Sequence, residues 1–310
     1  MGNKRILYGM ALLVCVLLGA ALLGHAVDFL HARWVEHRYR AWAEGVERDK
    51  EGIRVGFQPI EAGDGDTGIL FVHGFAGSPN LFRFFLPHFA ERGFTGRAIR
   101  LPGFGEEAGS AALVSHTDWM EAVREEAVKL REGRDAVWIV GHSLGATLAL
   151  CVAQENPALV DGLILLAPLI EISDQRSPVL GPDDWFRVGQ HLLVHTKMIE
   201  SLFPVDAHDP GLREEEEVRD RFIPLQIYTE LFATMERLGD PGEVPYIPLM
   251  MALAERDQIV DTARAQAWFQ EIDAPQKRLW VAEPAGHVLP LDTGWEELLN
   301  EIDSFIQENR

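Results

Sequence analysis

A serine between two glycines is the residue in this sequence best placed to do chemistry. Strand-forming residues, "VWIV", run into "GHSLG" and then into small apolar residues that favour a helix. Gly141 and Gly145 would let a strand turn abruptly into a helix while the two backbones pass close together. At the tip of such a turn, Ser143 would project clear of the sheet beside the free N–H groups of the helix N-terminus, which stabilise developing negative charge. The spacing therefore predicts a nucleophilic serine.

A serine hydroxyl is a poor nucleophile at neutral pH, so it needs a histidine as base and a carboxylate that orients the histidine. In sequences with this turn, the acid follows a later strand and the histidine comes last. Asp257 ends the strand-like run "LMMALAERD", and His287 stands in "AEPAGHVLPLD" after the final strand-like run. We therefore predict a catalytic triad of Ser143, His287 and Asp257. Asp261 and Asp292 are the alternatives for the acid.

Acyl transfer through such a serine also needs two hydrogen-bond donors for the oxyanion that forms. Leu144, directly after the serine, offers one backbone N–H, and Phe75 in the loop "FVHGFAGSP" offers the other. Gly74 and Gly77 would let that loop curve toward the serine. His73 is expected only to pack within the loop. This chemistry needs neither a metal ion nor an organic cofactor.

The elements that must position these residues indicate an α/β domain. Short apolar runs that are typical of buried strands alternate with helical patterns, which predicts a mostly parallel sheet with helices on both faces. The strand-like runs are "GILFVHGF", "TGRAIRLPGFG", "AVWIV", "GLILLAP", "IPLMMALAERD" and "KRLWVAE". We assign residues 54–167 and 247–310 to this core.

Residues 168–246 interrupt the alternation. They contain no evident buried strand but several amphipathic helical patterns, and a structureless loop of this length would be unusual. We therefore predict a helical cap inserted into the core, with the acidic run 214–217 at a solvated helix N-terminus. The candidates for an apolar acyl pocket in this cap are Trp185, Phe186, Leu192 and Leu193.

The first 26 residues form a candidate transmembrane segment. Residues 6–24 carry no charge, and as a helix they would be roughly 28 Å long, close to the thickness of a bilayer's hydrocarbon core. A signal anchor fits that length, whereas a cleaved signal peptide and a buried core helix are the alternatives. Counting basic residues on the two sides does not decide the orientation, and we favour an extracytoplasmic domain.

Residues 27–53 continue the apolar spacing as a juxtamembrane helix or linker. Trp34, Tyr39 and Trp42 lie among arginines, as in an interfacial aromatic belt. The alternative is a helix whose apolar stripe packs on the domain. The sequence leaves both open.

Composition limits the partners. The chain has 310 residues and a formal net charge of -20, which argues against nucleic acid and disfavours a strongly anionic substrate. Its two cysteines, Cys15 and Cys151, suggest no disulfide framework. The expected partners are a neutral small-molecule ester or lipid and, through the N-terminal helix, a membrane. The oligomeric state is not predicted.

Taken together, the motifs resemble the α/β-hydrolase superfamily, and within it serine carboxylesterases and monoacylglycerol lipases. The matching stretches, between Gly68 and Arg310, are "HGFAGS", "LPGFGE", "GHSLGA", "AERDQIVD" and "AGHVLPLD". The last two are similar to those of small bacterial carboxylesterases. The resemblance implies the α/β-hydrolase fold, the triad at 143, 257 and 287, and oxyanion donors at 75 and 144. The N-terminal segment lies outside it, and the cap is longer than in the smallest esterases.

The function expected from these observations is hydrolysis of carboxylic esters, either short or medium acyl esters or monoglycerides, through an acyl-enzyme. An acyltransferase, a lipase or a lactonase would use the same triad, and peptidase activity is compatible with the motifs. A non-catalytic, membrane-tethered binding protein is the alternative from a different class. Haloalkane dehalogenases and epoxide hydrolases of this fold carry an aspartate at the turn, so Ser143 counts against both.

Overall fold

A computed structural model of the chain describes residues 2–177, 179–201, 204–209 and 219–310. Within these ranges, seven strands form one sheet and two short strands form a separate hairpin. The strands are β1 (Ile60–Ala62), β2 (Thr67–Val72), β3 (Phe94–Ile99), β4 (Ala136–His142), β5 (Gly162–Leu166), β6 (Met198–Glu200), β7 (Phe222–Pro224), β8 (Leu249–Ala254) and β9 (Lys277–Ala282).

The sheet has the strand order β1-β3-β2-β4-β5-β8-β9. β1 is antiparallel to β3, and the other neighbouring strands of the sheet are parallel. Every residue of β2, β5 and β8 is buried. Because successive side chains of a strand point to opposite faces, both faces of the sheet are covered. The predicted mostly parallel, two-sided sheet is confirmed.

The α-helices of the described residues alternate with most of the strands along the chain. They are α1 (Gly2–Ala43), α2 (Phe85–Glu91), α3 (Ala108–Ala111), α4 (His116–Arg131), α5 (Leu144–Glu155), α6 (Pro182–Leu192), α7 (Leu225–Arg237), α8 (Thr262–Glu271) and α9 (Trp295–Glu308). α5 contacts β4, α4 contacts β2, and α8 and α9 contact β8. These contacts bury the apolar faces of the helices against the sheet.

The segment 168–246 differs from the helical cap that we predicted. It contains α6 and α7, but also the β6–β7 hairpin, in which Glu200 pairs with Phe222. Each of these strands is three residues long, so the sequence offers no alternating pattern that would reveal it. Residues 178, 202–203 and 210–218 of the segment, and with them the acidic run 214–217, lie outside the described residues.

The N-terminal helix α1 is continuous across the predicted boundary between residues 26 and 27. By length and composition, Leu12–Ala43 could cross a membrane, and most of its apolar side chains are exposed. Its second half contacts the rest of the chain: Val35 is buried, and the rings of Tyr39 and Trp42 contact Phe222 of β7. These contacts favour the packed alternative for residues 27–53 over an interfacial aromatic belt, although Trp34 is about half exposed.

Candidate active site

The turn around Ser143 has the geometry that its glycines predict. Ser143 joins β4 to α5 and has a φ of 53°, in the left-handed region that costs a non-glycine residue energy. A Cβ on Gly145 would lie 2.2 Å from the carbonyl oxygen of Val72, and a Cβ on Gly141 would lie 2.5 Å from the Cα of Ala146. Only glycine fits at either position, so the two glycines are what allow the strand and the helix to meet at this angle.

The structure brings His287 and Asp257 together. Asp257 lies after β8 and His287 after β9, and the His287 Nδ1–H donates to Asp257 Oδ2 over 2.8 Å. Asp257 Oδ1 accepts the backbone N–H groups of Ile259 (2.8 Å) and Val260 (2.9 Å). Burial alone would raise the pKa of Asp257, but the adjacent imidazole and these two donors outweigh it and hold the pKa below its usual value. Asp257 is therefore ionised and fixed in orientation.

Ser143 and His287 line the same cavity, and both side chains are almost fully buried. The two alternative acids have other partners. Asp261 caps α8 by accepting the N–H of Arg264 over 2.9 Å. Among the described contacts, Asp292 accepts backbone N–H groups only. Of the three candidate acids, Asp257 is the one hydrogen-bonded to the histidine.

The two segments that carry the predicted oxyanion donors both lie next to the serine. Leu144 is the first residue of α5, so its N–H has no carbonyl partner within the helix. The loop after β2 passes directly over the serine, because a Cβ on Gly74 would lie 2.9 Å from the Cβ of Ser143. Phe75 follows in this loop and lines the cavity, with its ring against Tyr228 of α7. A substrate carbonyl at Ser143 would thus lie beside both backbone segments.

Two further buried histidines support the site without taking part in the predicted triad. His73 Nδ1–H donates to the carbonyl of Gly74 (2.8 Å) and its Nε2 accepts the N–H of Leu101 (3.0 Å). His142 Nε2–H donates to the carbonyl of His287 over 2.9 Å. Burial lowers the pKa of His73 to about 4 and that of His142 to about 3, so both rings are neutral. His73 packs in its loop as expected; the anchoring role of His142 was not predicted.

Asp206, which was not among the predicted site residues, connects the loop of Asp257 to the loop of His287. Its Oδ2 accepts the N–H of Gln258 (2.8 Å) and, more weakly, that of His287 (3.3 Å). Arg176 lies 3.4 Å from Asp206 Oδ1. No local pattern marks this residue, because its partners come from distant loops.

Asp292 also holds the histidine loop in place. This fully buried carboxylate accepts the N–H of Gly286 at 2.6 Å and that of His208 at 2.7 Å. It therefore joins the histidine loop to the chain that follows residue 204. The N–H groups of Gly286 and His287 are buried, and a buried backbone donor is costly when left unpaired, so both carboxylates stabilise the geometry of the histidine loop.

A cavity of about 440 Å³ opens above Ser143, within the range typical of small-molecule sites. Its lining among the described residues is mostly apolar and includes Phe75, Leu81, Leu169, Ile172, Pro182, Trp185, Phe186, Val205, Ile223, Tyr228, Leu231, Phe232, Ile259 and Val288. Phe186 of α6 stacks on Phe232 of α7, with ring centroids 4.5 Å apart. Burial raises the pKa of Tyr228 to about 12, so its phenol stays protonated.

The predicted pocket residues divide into two pairs. Trp185 and Phe186 line the cavity, whereas Leu192 and Leu193 do not. The physical reason is that α6 ends at Leu192 and the chain then turns toward α1, where the Asp28 carboxylate accepts the N–H of His195. The prediction for Leu192 and Leu193 is therefore corrected.

Among the described residues, no group of three or more His, Cys, Asp or Glu side chains is placed to hold a metal ion.

Known proteins are similar to this chain over the region that holds the site. The family model described as serine aminopeptidase, S33, matches residues 64–294. A thermostable monoacylglycerol lipase of Bacillus sp. (strain H-257) is 24% identical over 237 residues, which cover 76% of this chain and 89% of that protein. A carboxylesterase of Bacillus subtilis (strain 168) is 22% identical over 252 residues, covering 81% and 96%.

Solved structures extend the similarity to the fold. The crystal structure of the Paleococcus ferrophilus monoacylglycerol lipase superposes with a TM-score of 0.69 at 16% identity, covering 81% of this chain and 98% of that one. At this identity the superposition establishes the α/β-hydrolase fold alone. The family model spans most of the chain and includes the turn at Ser143, Asp257 and His287. The chain therefore belongs to the serine hydrolase family described as serine aminopeptidase, S33, within the α/β hydrolases.

Proposed function

We propose that this protein is a serine ester hydrolase that cleaves neutral carboxylic esters through an acyl-enzyme on Ser143. One observation carries the proposal. The His287 Nδ1–H donates to the buried Asp257 carboxylate over 2.8 Å, while the same imidazole shares a largely apolar cavity with a serine held at a strained turn. Nucleophile, base and orienting acid are the parts that acyl transfer requires.

The mechanism follows from this arrangement. Asp257 fixes the His287 tautomer with Nδ1 protonated, which leaves Nε2 to accept the Ser143 proton as the hydroxyl attacks the ester carbonyl. The backbone N–H groups of Phe75 and Leu144 stabilise the oxyanion of the tetrahedral intermediate. His287 then protonates the leaving alcohol. A water molecule, deprotonated by the same imidazole, releases the carboxylic acid and restores Ser143.

The cavity favours an apolar acyl group. Its lining combines aromatic and aliphatic side chains from the sheet loops with Trp185 and Phe186 of α6. The formal net charge of -20 disfavours strongly anionic substrates. The relatives named monoacylglycerol lipase and carboxylesterase support the same class. We therefore propose short or medium acyl esters, or monoglycerides, as substrates.

The family description names a peptidase, and one observation counts against that activity here. An aminopeptidase needs a carboxylate for the substrate's ammonium group. Among the described residues that line the cavity, Asp206 is the only acidic one, and it already accepts two backbone N–H groups and lies against Arg176. It is thus poorly placed to bind a free amine.

A panel of nitrophenyl esters from two to twelve acyl carbons tests the proposal. The wild-type protein should hydrolyse them and should be labelled on Ser143 by a fluorophosphonate. Ser143→Ala should lose both properties with an unchanged melting temperature, whereas Ser110→Ala, at an exposed position of α3, should retain them. Undiminished hydrolysis by Ser143→Ala would refute the mechanism, and failure to label Ser143 would favour a non-catalytic binding protein.

Two further experiments distinguish the hydrolase from an acyltransferase and from a peptidase. An excess of an acceptor alcohol should produce free acid as the main product if the protein is a hydrolase, and a new ester if it is an acyltransferase. Aminoacyl nitroanilides should be cleaved far more slowly than esters. Preferential cleavage of the anilides would instead establish a peptidase.

We also propose a domain arrangement in which residues 1–26 anchor the protein in a membrane, 27–53 lead to the core of 54–167 and 247–310, and 168–246 cap the site. The long exposed apolar run of α1 supports the anchor. The full-length protein should stay in the membrane pellet after alkaline carbonate extraction. Release into the supernatant with a new N-terminus near residue 26 would show a cleaved signal peptide instead.

A further inference from the structure

We propose that the second half of α1, residues 28–43, is a positioning element for substrate binding, because it holds the β6–β7 hairpin that supplies one wall of the cavity. The proposal rests on the esterase function above. These residues lie outside the matched family region, which begins at residue 64. The feature therefore lies outside the region that the family model describes.

The strongest contact is an ion pair between α1 and β6. Arg38 Nε lies 2.5 Å from Glu200 Oε2, and Arg38 Nη2 lies 2.7 Å from Glu200 Oε1. The Glu200 side chain is only 2% exposed, and Arg221, before β7, donates to it from Nε over 2.9 Å. A bidentate guanidinium–carboxylate pair fixes both distance and orientation. Removing Arg38 leaves the buried carboxylate with a single arginine partner in the described contacts, which is costly.

A second contact lies ten residues earlier on the same helix. The buried Asp28 carboxylate accepts the N–H of His195 (2.6 Å), the N–H of Thr196 (3.2 Å) and the Thr196 hydroxyl (2.7 Å). This holds the segment that connects α6 to β6. At 1.5 Å per residue, Asp28 and Arg38 lie about 15 Å apart along the helix axis. The helix thus supports the hairpin and its preceding segment at two separate points.

The end of α1 joins the hairpin to the core. The rings of Tyr39 and Trp42 contact Phe222 of β7, with centroids 5.7 Å and 5.4 Å away. The Tyr39 hydroxyl accepts the N–H of Ala108 in α3 over 3.0 Å. α1 therefore contacts the inserted segment and the core at the same time, so it can fix one relative to the other.

The supported hairpin also lines the cavity. Ser201 follows Glu200, and Ile223 follows Phe222; both Ser201 and Ile223 line the space above the serine nucleophile. His287, in contrast, comes from a loop after the central sheet and is held by Asp206 and Asp257. Loosening the contacts of α1 should move the cavity wall and leave the histidine–aspartate pair in place. The expected effect is on substrate binding, and it should be largest for the acyl chains that reach the wall.

Two substitutions on one helix test the inference in the full-length protein in detergent micelles. Arg38→Gln removes the ion pair with Glu200, and Arg33→Gln removes an equal charge from an exposed side chain that pairs with Glu36. Arg38→Gln should raise KM for nitrophenyl octanoate about tenfold while kcat for this ester stays within about twofold of wild type. For nitrophenyl acetate, both KM and kcat should stay within about twofold of wild type. Fluorophosphonate labelling of Ser143 should keep its rate. Arg33→Gln should behave as wild type throughout.

The outcomes separate the inference from the function. No turnover by the wild type would overturn the esterase function itself. Wild-type turnover with an unchanged octanoate KM in Arg38→Gln would overturn only the positioning role. An equal loss of kcat on both esters, with a lower melting temperature, would show a purely structural role. If Arg38→Gln does not fold, Tyr39→Phe, which removes the hydroxyl that accepts the Ala108 N–H, must raise the same KM; an unchanged KM overturns the inference.

Discussion

Gly145→Ala offers a direct test of how the turn at Ser143 controls activity. The added Cβ would lie 2.2 Å from the Val72 carbonyl oxygen and 2.6 Å from that of His73, whereas ordinary contacts begin at 3.4 Å. To go from 2.2 to 3.4 Å, α5 and the end of β2 must separate by about 1.2 Å. That movement displaces Ser143 and Leu144, at the start of α5, from Phe75, in the loop after β2. A misplacement of about 1 Å costs roughly a hundredfold in rate, so we expect kcat/KM to fall by about that factor.

Hydrolysis of nitrophenyl butyrate, measured beside a circular dichroism melt, provides the assay. Gly109→Ala is the matched control, because a Cβ at that position meets nothing within 4 Å. The control should keep both activity and melting temperature. A folded Gly145→Ala protein with kcat/KM within threefold of wild type would refute the argument that this close approach sets the geometry of the nucleophile.

The remaining predictions concern three carboxylates. Asp257→Asn should lower kcat by about 10³ to 10⁴-fold with little change in KM, because the amide no longer holds His287 in the productive tautomer; steady-state kinetics would contradict this if kcat fell less than tenfold. Asp206→Ala should lower the free energy of unfolding by about 1–3 kcal/mol, since it leaves the buried N–H of His287 and the partly buried N–H of Gln258 without that acceptor; it should also lower kcat, and a urea titration showing full stability would argue against this role of Asp206. The third carboxylate, Asp220, is buried just before β7, and its Oδ2 accepts the N–H of Gly105 over 2.7 Å. Burial raises its pKa from the usual 3.8 to about 6, so the folded state binds this proton more tightly than the unfolded chain. The cost of burying the charge is therefore fully present above about pH 6 and is lost as the pH falls toward 4. Asp220→Asn should therefore gain stability over wild type by an amount that grows from pH 4 to pH 7, to at most about 3 kcal/mol; a difference independent of pH in urea titrations would contradict this.

The core of the fold was predictable because its strands leave a strong local pattern. Six short, largely apolar runs were predicted to be strands, and each corresponds to a strand of the sheet. The turn at Ser143 was equally clear, since close backbone approach demands glycine at 141 and 145. Asp257 and His287 could be chosen because the order of elements places both at the same edge of a parallel sheet. Their hydrogen bond follows from topology rather than from any local motif.

The features that were not predicted from the sequence depend on contacts between distant segments of the chain. β6 and β7 are too short to show a period, and they exist because Phe222 and Ile223 are buried between α1 and the cavity. Asp206 stands in a stretch without a pattern, and its role appears only when the loops of Gln258 and His287 meet it. Leu192 resembled a pocket residue because it continues the apolar stripe of α6, but the helix ends there.

The unbroken course of α1 has a mechanical consequence. A helix that runs without interruption from Gly2 to Ala43 is a stiff rod, unlike the flexible tether that often joins a catalytic unit to its anchor. From residue 24 to Arg38 the rod is about 20 Å long. If residues 6–24 are immobilised, the contacts of Asp28, Arg38 and Tyr39 should limit the rotation of the following domain relative to the helix.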